Sequence, residues 1–102
     1  MPHHIFVYFK TPATARDQTN SLVRRLSLEQ GRGLPVTVQC SRRVDPAGAS
    51  ASDTWLEHYQ CPDEADATRL LQRLSRLDPE HPLLQLTIDG LAGRHVEHFL
   101  CA

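Results

Sequence analysis

Residues 54–64 read TWLEHYQCPDE, a strand that runs directly into the start of a helix. Trp55 and Tyr59 alternate with smaller or polar residues, which is typical of a β-strand because successive side chains point to opposite faces. After Pro62, the acidic pair at residues 63–64 stands where the positive end of a helix dipole favours negative charge. A leucine-rich stripe with helical spacing then continues to Leu77. We therefore predict a strand over 54–61 and a helix over 62–77.

The rest of the chain shows the same two kinds of pattern. Residues 4–10, HIFVYFK, and residues 94–101, RHVEHFLC, predict the first and last strands. A helix is expected to begin near residues 12–15 and to be stopped by Gly31 and Gly33, in a segment where a left-handed cap is tolerated. Residues 34–43 alternate between apolar and polar and predict another strand. The predicted order is therefore β-α-β-β-α-β.

This order, in a chain of 102 residues, predicts a ferredoxin-like α+β domain. Both helices should cover one face of a four-stranded antiparallel sheet, with the first strand between the third and the fourth. Residues 44–53 are too poor in bulky apolar side chains to pack and predict a flexible link. Residues 80–93 predict a packed connection with a short helical or extended piece. The length fits one hydrophobic core, so we expect a single domain over residues 1–102.

Composition excludes several classes of protein. Eleven Lys and Arg against twelve Asp and Glu give a formal charge of −1, which lacks the basic footprint of a nucleic-acid-binding protein. No apolar run approaches the ~20 residues of a membrane helix, and no secretion signal is visible at the start. Three cysteines without C-x-x-C spacing favour free thiols over disulfides or a zinc site. We expect a cytoplasmic protein that contacts neither nucleic acid nor membrane.

The sheet face that the two helices leave uncovered, here called the open face, is predicted to be aromatic. Alternation assigns the aliphatic side chains of the first strand to the helix-covered face. It assigns to the open face Phe6, Tyr8, Gln39, Trp55, Glu57, Tyr59, His95, Glu97 and Phe99, with five of the six aromatic residues of the chain. Such a surface usually marks an interface. We expect it to close a homodimer by face-to-face packing, as a dimeric α+β barrel.

The strands also resemble known families. The segment TWLEHY at 54–59, followed by its helix start, resembles a strand of the antibiotic-biosynthesis-monooxygenase-like dimeric α+β-barrel superfamily. Together with VYFK at 7–10 and RHVEHF at 94–99, it is similar to a small bacterial family of unknown function with TWxExY and RHVExF strands. The resemblance implies the fold and the dimer but no activity. Residues 67–74 contain no histidine, which that superfamily often carries early in its second helix, so no haem or other cofactor is expected.

Two carboxylates are the candidate catalytic groups. Glu57 and Glu97 should flank Tyr8, roughly 9–10 Å apart across two strand spacings. A buried glutamate there needs a partner such as Arg43, Arg94 or His95, or takes a raised pKa and works as a general acid or base. The competing interpretation is that each glutamate only fixes the register of the dimer.

The remaining predicted site residues orient the acid or base and bind the ligand. His95 would orient the catalytic glutamate. Ligand contacts are assigned to Tyr8, Trp55, Tyr59 and Arg43. No metal site is predicted, because alternate residues of the segment HVEH at 95–98 point to opposite faces of a strand and cannot hold one ion.

These features lead to three hypotheses about function. The first is a dimeric protein that binds a small organic molecule and converts it without a cofactor, as a monooxygenase-like or isomerase-like enzyme. The second is a non-enzymatic dimeric adaptor or regulatory module, in which the same residues form only the interface. The last is RNA binding of the RRM type, which the missing aromatic signature and the charge of Glu57 disfavour.

Overall fold

The computed structural model describes residues 1–45 and 51–102 and confirms the ferredoxin-like α+β fold. One antiparallel sheet has the strand order β2-β3-β1-β4. The elements are β1 (His3–Pro12), α1 (Arg16–Gly31), β2 (Thr37–Arg42), β3 (Ser52–Cys61), α2 (Glu64–Ser75), α3 (Pro82–Leu86) and β4 (His95–Leu100), with short 3-10 turns at Ala13–Ala15 and Gly90–Gly93.

Local signals set most element boundaries. The Asp63 carboxylate accepts a hydrogen bond from the backbone N–H of Asp66 at 3.0 Å, which caps α2 at the predicted acidic start. Gly33 has a φ of 75°, a left-handed conformation that lets the chain turn after α1. β3 begins earlier than predicted, because Ser52 pairs with Pro12 at the end of β1. The predicted link at 44–53 is therefore partly strand, and residues 46–50 lie outside the described residues.

Residues 80–93 form the expected packed connection with a short helix. In α3, Leu83 and Leu84 are buried against the core. The backbone N–H of Ile88 then donates to the carbonyl of Lys10 at 2.8 Å, which fastens the connection to the edge of β1. No helix in the described segments is long and apolar enough to cross a bilayer.

The core lies between the helices and one face of the sheet. It is built from two clusters that join the ends of the strands to different helices. One contains Ile5, Val7, Tyr59, Cys61, Ala67, Leu70 and Leu74, and the other contains Phe9, Val23, Leu26, Trp55, Leu77, Leu83 and Leu84. Both clusters draw on β1 and β3, the two central strands.

The predicted orientation of β3 is wrong, and this changes the open face. Val7 pairs directly with Glu57, and the neighbouring pairs of this register place Trp55 and Tyr59 beside buried side chains of β1. Directly opposed residues in an antiparallel pair point to the same face. Trp55, Glu57 and Tyr59 therefore face the helices, whereas Leu56 and His58 face outward. The core gains two large aromatic side chains by this choice, which bury more apolar area than a leucine and a histidine would.

The open face keeps the predicted residues of β1 and β4. Pairing of Tyr8 with His95 and of Phe6 with Glu97 places these four side chains on the face opposite Val7. With Leu56 and His58 from β3, they replace the predicted aromatic row by a mixed aromatic and histidine surface. Phe99 also lies here and remains 52% exposed.

Candidate functional site

Tyr8, His95 and Glu97 meet on the open face and are called the Tyr8 cluster below. The Tyr8 hydroxyl donates to Oε1 of Glu97 at 3.0 Å, and the Tyr8 ring stacks on His95 with centroids 5.0 Å apart. This hydrogen bond to a carboxylate raises the pKa of Tyr8. β1 and β4 position the cluster through ordinary strand pairing. Three of the predicted site residues are thus brought together.

Two shallow cavities adjoin the Tyr8 cluster and share Tyr8 and Thr54. The first, of about 500 Å³, is lined by Tyr8, Ser41, Arg42, Arg43, Thr54, Trp55 and Leu56. The second, of about 480 Å³, is lined by Tyr8, Phe9, Lys10, Thr54, Ile88, Asp89, Gly93 and His95. Both volumes lie within the range of small-molecule sites. Arg43 is exposed and lines the first cavity together with Tyr8.

Glu57 lies on the other side of the sheet and does not join this site. Its carboxylate is fully buried and forms a two-pronged ion pair with Arg94, with N–O distances of 2.7 and 3.0 Å. The Tyr59 hydroxyl donates to the same carboxylate at 2.5 Å. Because Glu57 and Glu97 point to opposite faces, they cannot flank one ligand within a single chain. The predicted pair of carboxylates is therefore separated.

Arg94 is the partner that makes the burial of Glu57 tolerable. It immediately precedes β4, is only 8% exposed, and places its guanidinium carbon 5.1 Å from the centre of the Phe9 ring. Fork-shaped pairing satisfies both carboxylate oxygens, and the aromatic face adds a cation–π contact. The sequence offered Arg94 as one of three candidate partners. The pairing register of β1, β3 and β4 places Arg94, and not the other two candidates, against the Glu57 carboxylate.

Trp55 is also a buried residue of the core. Its indole N–H donates to the Thr11 hydroxyl at 3.0 Å, and the Thr19 hydroxyl donates to the same oxygen at 3.2 Å. These hydrogen bonds join β3, β1 and α1 within the buried layer. Trp55 reaches the wall of the first cavity, but its side chain is only 4% exposed. Its predicted role as a ligand contact stays a prediction.

The buried Tyr59 predicts a loss of stability at alkaline pH. Burial, and then the charge of Glu57, raise the pKa of Tyr59, so the folded chain keeps this proton where the unfolded chain loses it near pH 10. The folded state therefore binds more protons above pH 10, and the free energy of unfolding should fall by about 1 kcal/mol between pH 10 and 11 from this group. Urea unfolding at both pH values measures the loss. Tyr59→Phe should show a smaller loss over the same interval, and an equal loss in both proteins would contradict the assignment.

Two histidine pairs are features that sequence reasoning missed. Nδ1 of His4 lies 2.9 Å from Nε2 of His58 on the open face, and Nδ1 of His3 lies 2.9 Å from Nε2 of His98 on the other face. Each pair is diagonal across two neighbouring strands, so strand register is the signal that would have revealed it. Burial, and then the neighbouring His4, lower the pKa of His58. Among the residues described, no group of three or more His, Cys, Asp or Glu is placed to hold a metal ion.

Comparisons with known proteins give a fold and no family. No family model and no curated protein matches the sequence. Among solved structures, the de novo designed protein Foldit4 is similar over 100% of both chains, with a TM-score of 0.64 and 10% identity. SnoaB from Streptomyces nogalater, a cofactor-independent oxygenase solved as a point mutant, is similar over 97% of this chain and 92% of its own, with a TM-score of 0.60 and 13% identity. At such identities the likeness concerns the fold alone.

Proposed function

We propose that this chain is a homodimeric protein that binds a small organic molecule on its open face and converts it without a cofactor. The observation that carries the proposal is the Tyr8 cluster: Tyr8 lines two adjoining cavities of about 500 and 480 Å³, His95 lines the second, and the Tyr8 hydroxyl is hydrogen-bonded to Glu97. Sites of this size that combine apolar walls with a few converging polar groups are typical of ligand binding.

Each member of the cluster has a chemical role in this proposal. Glu97 is the general acid or base, since its exposed carboxylate accepts a hydrogen bond from the hydroxyl of Tyr8, which lines both cavities. His95 packs against the Tyr8 ring and is close enough to orient the ligand or shuttle a proton. Arg43 binds an anionic substituent from the first cavity. Glu57 is proposed as a structural residue, because its oxygens are already occupied by Arg94 and Tyr59.

The fold of SnoaB supports the reaction class. SnoaB is a cofactor-independent oxygenase, and this chain shares its fold over nearly its whole length. An oxygenase-like or isomerase-like conversion is therefore the activity that we would test first.

The dimer is proposed from the exposed apolar surface of the open face. Phe99 is 52% exposed, Tyr8 is 36% exposed, and Phe6 and Leu56 are half-buried beside them. Aromatic side chains grouped in this way on a water-soluble chain usually mark an interface. A second copy packed over this face would deepen the two shallow cavities and exclude water from the Tyr8 cluster.

A second candidate function is a non-enzymatic dimeric adaptor or regulatory module. It is favoured by the openness of both cavities and by the exposure of Glu97, whose second carboxylate oxygen is available to a donor on a second copy. In this case the Tyr8 cluster would fix the register of two subunits. The substrate site would be absent.

Native mass spectrometry of freshly purified protein distinguishes these possibilities. We expect a dimer that carries a reproducible small-molecule adduct. A dimer without an adduct would favour the adaptor. A monomer would overturn the dimer and return attention to single-stranded RNA as a ligand of the exposed sheet.

Glu97→Gln tests the assigned acid or base. Loss of the carboxylate should lower the affinity for the retained molecule by about ten- to 150-fold, because hydrogen bonds to charged groups contribute about 1.5–3 kcal/mol. The dimer should persist. Glu80→Gln, at an exposed position after α2, is the matched control and should bind as the parent does. Dissociation of the Glu97→Gln dimer would instead assign Glu97 to the interface.

A further inference from the structure

We propose that His4 and His58 form a binding site for one late first-row divalent metal ion, with Cu²⁺ the preferred ion, on the open face. The two histidines belong to β1 and β3, the central strands of the sheet. Nδ1 of His4 and Nε2 of His58 are 2.9 Å apart. Neutral imidazole nitrogen suits Cu, Ni and Zn ions. Water completes the coordination in a monomer, and a donor of the second copy can take its place where the proposed dimer covers the open face. The site does not need the proposed substrate.

The separation of the two nitrogens, set here by a hydrogen bond, matches one coordination geometry. If a metal ion lies about 2.0–2.1 Å from each nitrogen and the nitrogens keep this separation, the N–metal–N angle is about 90°. This is the angle between neighbouring positions of a square-planar or tetragonal complex, which Cu²⁺ and Ni²⁺ prefer. Tetrahedral Zn²⁺ would need about 3.3 Å, a wider spacing of the rings. Cu²⁺ also has the highest affinity of the series for such nitrogen sites.

Binding requires a proton shift within one ring and a rotation that turns each lone pair by about 45° away from the line between the two nitrogens. The ring centroids are 5.1 Å apart and the planes differ by 25°, which together with the short N–N contact describes rings that meet edge to edge through one N–H. That proton moves to the other nitrogen of its own ring, so the pair presents two lone pairs and remains neutral. Rotation about χ2 of histidine is soft and directs both lone pairs to one point.

Packing keeps the two rings close together before any ion binds. The Phe6 ring stacks on His58 with centroids 4.5 Å apart and planes 13° apart. β1 and β3 are paired along the whole of both strands, so the backbone positions of His4 and His58 are rigid relative to each other. A preorganised pair of ligands loses less conformational freedom on binding than two mobile side chains.

The second pair, His3 and His98, is the internal control. Its nitrogens are also 2.9 Å apart, but its planes differ by 38° and His98 is exposed on the edge strand β4. The stacking of Phe6 supports His58 rather than this pair. We therefore assign the tighter site to His4 and His58.

Titration of the untagged protein with Cu²⁺ tests the assignment. Isothermal calorimetry should give one tight equivalent, electron paramagnetic resonance should show imidazole nitrogens bound to the ion, and substoichiometric Cu²⁺ should broaden the ¹H–¹⁵N signals around residues 4–6 and 56–60 first. His58→Gln should weaken binding by about tenfold or more, because the second imidazole acts at high local concentration. His98→Gln should bind within about twofold of the parent. Saturating Cu²⁺ should raise the unfolding temperature of the parent and of His98→Gln by more than that of His58→Gln.

Several outcomes would overturn the proposal. Unchanged affinity in His58→Gln, a larger loss in His98→Gln, or first broadening around residues 3 and 98 would move the ion to another site. Sedimentation of the same samples without metal reports the oligomeric state. A monomer that binds Cu²⁺ through His4 and His58 would contradict the proposed dimer alone, and a protein that binds no ion at these residues, whether monomer or dimer, would contradict the metal site.

Discussion

Arg94→Met should lower the free energy of unfolding by about 3–5 kcal/mol, because it leaves the carboxylate of Glu57 buried without its cation. Arg94 and Glu57 have side chains that are 3% and 0% exposed, so water cannot take over the lost hydrogen bonds. Methionine keeps most of the volume, which limits the contribution of a cavity. Urea unfolding followed by tryptophan fluorescence measures the change.

Two further variants separate the ion pair from general effects of losing an arginine. Arg25→Met, at an exposed position on α1, should stay within about 0.5 kcal/mol of the parent. Glu57→Gln combined with Arg94→Met removes the buried charge altogether, and this double variant should recover a substantial part of the loss. A single Arg94→Met as stable as the parent would show that Glu57 is hydrated or protonated in the folded chain, and its assignment as a structural residue would fail.

Thr11→Val should destabilise the fold by about 2–4 kcal/mol, although it removes no packing volume. The Thr11 hydroxyl oxygen accepts hydrogen bonds from the Trp55 indole N–H and from the Thr19 hydroxyl. All three residues are buried, so the substitution strands two donors, each at a cost of about 1–3 kcal/mol. Thermal and urea unfolding measure the loss.

Comparison with other threonine variants isolates the hydrogen bonds. Thr37→Val, at an exposed position of β2, should have little effect because both side chains suit a strand. Adding Thr19→Val to Thr11→Val removes one stranded donor, so the double variant should be more stable than Thr11→Val alone. If the double variant loses the sum of the two single losses, the hydroxyl network is not the cause.

The sequence by itself determined the order and type of the elements. Strand alternation at 4–10 and 54–61, the acidic start of α2 and the glycines after α1 are local signals, since each acts through backbone conformation or a neighbouring side chain. For this order of elements, the rule that such connections are right-handed then favours the ferredoxin-like arrangement. The grouping of Tyr8, His95 and Glu97 was also predictable. β1 buries its aliphatic residues and so exposes Tyr8, and β4 pairs with β1 so that His95 and Glu97 lie on the same face as Tyr8, as expected.

Tertiary structure alone decided which face of β3 is buried. Alternation divides Trp55, Glu57 and Tyr59 from Leu56 and His58 but does not say which set meets the helices. The register with β1 chose the set that contains a glutamate, because its two aromatic rings fill the core and Arg94, 37 residues away in sequence, neutralises the charge. The His4–His58 pair was hidden for the same reason. Such contacts depend on the register of paired strands. The register is set by the burial of side chains from all strands of the sheet together, so no single segment determines it.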